Sequence, residues 1–146
     1  MAKATEVRHI GIVVDDMEEA LGFYRDMLGL TVARRMNEAG AYIDNVIAEP
    51  DVEVETVKLS AEVGPTLIEL LRFTRPGTRM PEGNRALIVG PTHFAMTVDD
   101  LPTLYDQMSA KGIVFNCPPQ TSPDGKAMLT YCQAPDGTLV ELVQML

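Results

Sequence analysis

The sequence predicts an α+β fold assembled from two copies of one βαβββ module, and three observations carry that prediction. RHIGIVVDDMEEALGFYRDMLGLTV at 8–32 has the layout of THFAMTVDDLPTLYDQMSAKGIVF at 92–115: an apolar stretch, Asp-Asp, a helical pattern, a glycine and a second apolar stretch. The spacing is shared too, with an offset of 84 between the histidines (9 and 93) and 83 between the glycines (29 and 112). LIELL at 67–71 and LVELV at 139–143 then end each copy with matching strand-like segments.

Residues 7–14 and 92–98 are rich in β-branched residues and too short for a stable helix, so both are expected strands. Asp16 reads as an N-cap with Glu19 in capping-box position. Met17, Ala20, Leu21, Tyr24, Met27 and Leu28 then recur at helical spacing, and Gly29 ends the helix. In the second copy Asp100 precedes Leu101, Leu104 and Met108, Pro102 falls in the first turn where a missing N–H is tolerated, and Gly112 is the stop. Strand-like segments follow: TVARRM, AYIDNVIA, VEVETVKLS and TLIELLRF in the first half, then IVFNCP, KAMLTYCQ and TLVELVQML in the second. Pro-Asp-Gly at 123–125 and 135–137 predicts two tight turns, the second a hairpin into the last strand. Glu69 and Glu141 are offset by only 72, so the first copy holds about twelve extra residues within 37–65. The expected organisation is one domain over 1–146: a first module at 5–74, a Pro-, Gly- and Arg-rich linker at 75–90 with a short apolar segment at 86–89, and a second module at 91–146.

A chain of 146 residues with 46% hydrophobic and 23% charged residues is composed like a folded, soluble domain. It has no apolar run near the roughly 20 residues that span a membrane. The start lacks the apolar core of a secretory signal, and Cys117 and Cys132 are too few for a disulfide framework, so the expected location is the cytoplasm. A net charge of -9 without a Lys/Arg run or a tryptophan gives no footprint for nucleic acid or an anionic membrane surface. The two cysteines are expected to be small buried or half-buried fillers, and the nine methionines core.

Chemistry concentrates in four residues. Alternation along a strand puts His9 on one face with Val7, Gly11 and Val13, and His93 with Ala95 and Thr97, so the position two past each histidine is small. Glu69 shares its face with Leu67 and Leu71, and Glu141 with Leu139 and Val143. A carboxylate buried without a partner costs several kcal/mol. Two such glutamates at equivalent points of a repeat, with the chain's only two histidines also at equivalent points, are accounted for by a shared cation. Two imidazoles and two carboxylates suit a divalent metal such as Ni, Co, Zn, Mn or Fe, with no organic cofactor.

The same residues resemble the vicinal oxygen chelate superfamily, which includes glyoxalase I, methylmalonyl-CoA epimerase, extradiol dioxygenases, and fosfomycin and bleomycin resistance proteins. HIGIVVDDMEEALGFYRDMLGL, THFAMTVDDL and APDGTLVELV carry the resemblance, which spans nearly the whole chain. It implies paired βαβββ modules forming a cupped, barrel-like mixed sheet around a metal site. His9, Glu69, His93 and Glu141 match the ligand positions of the glyoxalase and epimerase branch. A small-molecule substrate and a homodimer are the expected partners, with the modules pairing within one chain or across two.

The resemblance implies a metal-dependent lyase or isomerase that removes a proton next to a carbonyl, with Glu141 the first candidate for the base and Glu69 the second. A second acid or base is sought at Glu53 or Glu55, which solvent exposure would explain as well. Arg72 follows Glu69 by three and faces away from it on a regular strand, while Arg75, Arg79 and Arg85 are candidates for an anionic substrate tail, with solvated surface charge as the other reading. Two alternatives stay open: an Fe(II) extradiol-type dioxygenase, which uses two histidines and one carboxylate, and a drug-binding resistance protein without catalysis.

Overall fold

The computed structural model describes residues 5, 7–79 and 93–146, and the chain divides into two units, 1–80 and 81–146. The first unit contains β1 (His9–Val13), α1 (Met17–Leu21) continuing as a π-helical stretch (Gly22–Met27), β2 (Thr31–Ala39), α2 (Ala41–Ile47), β3 (Glu53–Ser60) and β4 (Leu67–Arg75). The second contains β5 (His93–Thr97), α3 (Leu101–Ala110), β6 (Gln120–Thr121), β7 (Ala127–Gln133) and β8 (Leu139–Met145). Their four-stranded sheets have equivalent orders, β1-β4-β3-β2 and β5-β8-β7-β6. In each, the first strand pairs parallel with the last and the other pairings are antiparallel. The α+β class and the repeat are therefore as expected. Neither sheet is closed into a barrel, because each ends in two edge strands.

The helix starts follow the sequence. Asp16 Oδ1 accepts the Glu19 N–H at 3.0 Å and Asp100 Oδ1 the Thr103 N–H at 3.1 Å. Gly29 and Gly112 take φ of +75° and +86°, which strains any residue with a Cβ. On the helix side of the first sheet Ile12, Val57, Leu59, Ile68 and Leu70 are buried, as are Met17, Ala20 and Leu21 of α1. In the π-helical stretch the Leu28 N–H reaches back five residues to the Phe23 carbonyl at 3.1 Å. This wider turn accompanies two consecutive buried aromatics, Phe23 and Tyr24, packed edge to face with ring centroids 4.9 Å apart.

Two expected strands are not strands. Residues 41–48 read as β because of Ile43, Val46 and Ile47, yet 41–47 form α2. One residue of that helix, Ile43, is buried, in a cluster with Val52 and Val54 against which Leu71 and Phe73 pack. The Asp44 carboxylate accepts the Val52 N–H at 2.8 Å and ties the helix to the start of β3. The extra residues of the first copy are this helix and its return. IVFNCP at 113–118 is the other case: Asn116 N–H donates to the Tyr131 carbonyl and Gln133 N–H to that of Val114, but the ladder reduces to a single bridge, Phe115 to Cys132. Pro118 and Pro119 have no N–H to extend it, and pairing resumes at Gln120. The predicted Pro-Asp-Gly hairpin at 135–137 does join β7 to β8, with Gln133 opposite Leu139.

The expected linker begins later than residue 75, since β4 runs through Arg75. Its apolar segment at 86–89 and Arg85 lie outside the described residues. Among the described residues no helix is long and apolar enough to cross a membrane. Cys132 is buried as expected, and burial pushes its thiol up to about 12, whereas Cys117 is exposed.

Replacing Asp16 by alanine should lower stability by about 1 kcal/mol, read from urea unfolding, through loss of the cap. A disulfide-exchange reagent at pH 8 should label Cys117 in the native protein and reach Cys132 only after unfolding. Because the Cys132 thiol is raised in the folded state, its contribution to stability is complete below the unfolded thiol range. It should be lost as pH rises from about 9 towards about 12, an effect absent in Cys132→Ala.

Candidate functional site

The parallel pairings bring each histidine to its glutamate. Glu69 of β4 lies opposite Gly11 of β1, and Glu141 of β8 opposite Ala95 of β5. Each histidine stands two residues before that small residue on the same face, so the carboxylate reaches back across an unfilled position. His9 Nε2 is 2.9 Å from Glu69 Oε2, and His93 Nε2 is 3.5 Å from Glu141 Oε2. The imidazoles are about a third exposed, while the carboxylates retain 13% and 18% of their exposure. Each unit thus unites its own predicted pair. Among the described residues, no group of three or more His, Cys, Asp or Glu side chains is arranged to hold a metal. Each pair offers a ring nitrogen and carboxylate oxygens on one half-sheltered face, a donor set that fits half of a nitrogen and oxygen site for a divalent cation.

Two further residues complete these pairs. In the antiparallel ladders Lys58 of β3 lies opposite Glu69, and Tyr131 of β7 opposite Glu141, so they occupy equivalent points of the two copies. Lys58 Nζ is 3.2 Å from Glu69 Oε1. The Tyr131 hydroxyl is 3.1 Å from His93 Nε2, and the two rings sit 4.9 Å apart at 36°. Burial is the main cause that raises the Tyr131 phenol above its ordinary pKa, followed by the charge of Glu141 and a hydrogen bond to it. Sequence reasoning missed both residues. Their signal is the repeat itself, Lys58 eleven positions before Glu69 and Tyr131 ten before Glu141, but it becomes visible only when the hairpin registers are known.

Other predicted candidates are engaged elsewhere. Glu55 shares the helix-side face with Val57 and binds Arg35 at 2.8 Å, with Arg72 at 3.8 Å, so it lies across the sheet from Glu69. Glu53 pairs with Arg75 at 2.8 Å. Arg75 also holds Asp51, and Arg72 donates to the Asp15 carbonyl at 3.2 Å, which places Arg72 on the face away from Glu69 as expected.

The fold has counterparts among known proteins. The family model of the Glyoxalase/Bleomycin resistance protein/Dioxygenase superfamily matches residues 6–142. The chain belongs to that superfamily. It is 26% identical over 138 residues to the protein YraH of Bacillus subtilis, covering 94% of this chain and 96% of that protein. The crystal structure of a glyoxalase family protein from Bacillus cereus superposes with a TM-score of 0.86 at 24% identity, covering 100% of this chain and 99% of that one. The trypanothione-dependent glyoxalase I of Leishmania major has the same fold, with a TM-score of 0.66 at 19% identity over 97% of this chain and 87% of its own.

Tyr131→Phe removes the hydroxyl beside His93 without changing the fold. The His93 ring signals in a histidine-selective NMR spectrum should shift and those of His9 should stay. Equal movement of both, or of neither, would show that the hydroxyl does not hold His93.

Proposed function

We propose that His9, Glu69, His93 and Glu141 together ligate one divalent metal ion, Ni, Co, Zn, Mn or Fe, either within one chain or across a homodimer. We read the protein as a metal-dependent lyase or isomerase of the glyoxalase or epimerase kind. The observation that supports this reading is the duplication of a His–Glu pair on equivalent parallel strands, in a chain that has only two histidines. Membership of a superfamily that contains metal-dependent glyoxalases agrees with it.

When bound, a divalent cation supplies Lewis-acid polarisation of a substrate carbonyl and so acidifies the neighbouring C–H. The chain's own groups do the rest. Glu141 is the first candidate to accept the carbon-bound proton, because its carboxylate is mostly sheltered and lies beside His93 with no cation of the chain opposite it on the ladder. The Tyr131 hydroxyl sits 3.1 Å from His93 Nε2, the imidazole that pairs with Glu141. Glu69 is the second candidate and is restrained by Lys58.

Lys58 also supports a second reading. If Glu69 remains with its lysine, the ligand set contracts to His9, His93 and Glu141, two histidines and one carboxylate, which suits an Fe(II) extradiol-type dioxygenase.

The test is a screen of protein reconstituted separately with Ni, Co, Zn, Mn and Fe(II), against methylglyoxal with thiols, methylmalonyl-CoA and catechols. Lyase or epimerase turnover that falls at least about a hundredfold in Glu141→Gln supports the first reading. Oxygen uptake with Fe(II) and a catechol, unchanged in Glu69→Gln, would establish the second. A protein that binds no divalent ion after reconstitution is a non-catalytic binder of the drug-resistance kind, and both readings fail.

A further inference from the structure

The face of the first sheet that carries His9 and Glu69 also carries two cations. Lys58 has Glu69 opposite it on β4 and Arg34 opposite it on β2. Cross-strand partners share a face with Cβ atoms about 5 Å apart, and like charges placed this way repel. Arg34 reaches this face because of a bulge. The β2–β3 ladder pairs Val32 with Leu59 and resumes with Arg34 opposite Lys58, so Ala33 is skipped. In an unbroken ladder Ala33 would face Lys58 and Arg34 would turn to the helix side with Val57.

The bulge also sorts two adjacent arginines. Arg35 goes to the helix side, where it binds Glu55 at 2.8 Å and Glu18 at 2.9 Å. For Arg34, in contrast, no ion pair with a carboxylate forms among the described residues. An irregularity that re-aims one side chain beside a candidate site, and sets two like charges side by side, is the pattern of a site kept for a ligand. Beyond Glu69 on the same face stand the half-buried Leu71 and Phe73, at the edge of the buried Ile43, Val52 and Val54 cluster.

We propose that Arg34 and Lys58 form an anion-binding subsite for a carboxylate or phosphate group of the substrate, next to His9 and Glu69. A guanidinium presents two parallel donors to such a group and the ammonium adds a third. The half-exposed side chains of Leu71 and Phe73 then meet the body of the molecule, so the substrate class is a small organic acid or phosphate ester with a short apolar portion. The inference rests on this sheet face being the one that meets substrate, and not on the identity or presence of a metal ion.

The test titrates EDTA-treated protein with succinate and, separately, with inorganic phosphate at constant ionic strength, following backbone amide shifts by NMR. Saturable shifts at Arg34 and Lys58 are expected, and the anion that saturates at the lower concentration tells carboxylate from phosphate. Arg34→Gln and Lys58→Gln should each weaken binding by at least about tenfold, Lys58→Arg should retain it, and Lys126→Gln should leave it unchanged. Shifts that never saturate, or a saturable affinity equal in wild type and both glutamine variants, would overturn the subsite. Metal content measured on the same proteins keeps the two proposals apart. A wild type that binds anion but no divalent ion loses only the metal reading, and one that binds metal but no anion loses only the subsite.

Discussion

The parallel contact between the first and last strand of each copy is the constraint on which the rest of the site depends. It sets Glu69 beside Gly11 and Glu141 beside Ala95, so a carboxylate extends over a residue with little or no side chain and meets the histidine two positions back. With a register one residue off, every side chain on that strand would exchange faces and the glutamates would enter the helix-side core. The βαβ connection is what makes a parallel pair possible, which gives the capped helices after β1 and β5 a direct bearing on the chemistry.

Duplication places the same framework twice, and the differences between the copies then acquire meaning. Glu69 has an ammonium across the ladder and Glu141 a phenol. Lys58 compensates the charge of its carboxylate directly, at 3.2 Å. Tyr131 opposite Glu141 brings a neutral phenol and no cation, which leaves the second carboxylate freer to serve a proton or a cation. This inequality is why Glu141 is the better candidate for a base, and why Glu69 is the proposed ligand whose role divides the lyase or isomerase reading from the dioxygenase reading. The insertion in the first copy adds a further asymmetry, since Ile43 of α2 packs with Val54, Leu71 and Phe73 and so covers part of the Glu69 face.

Much of this was legible in the sequence because it is written in rare residues at repeated positions. Two histidines, two mid-strand glutamates, two Asp N-caps and two helix-ending glycines stand out against apolar neighbours, and each structural counterpart is local or set by alternation. The helix α2 was not legible, because Ile43, Val46 and Ile47 have the β-branching of a strand and a tertiary contact at Ile43 overrides it. Nor were Lys58, Tyr131 and Arg34. Their faces depend on hairpin registers and on the skipped Ala33, which local composition does not encode. The same register information removes Glu55, which composition alone left beside the site, to the other side of the sheet.

The central claim is that two His–Glu pairs act as one metal site. The most direct measurement is a Co(II) titration of the metal-free protein, read from the ring signals of the two histidines. The account predicts that the His9 and His93 signals broaden or shift in parallel and saturate together, with one ion bound for each His9 and His93 pair. A response of His93 alone, or two ions binding with separate midpoints, would contradict it.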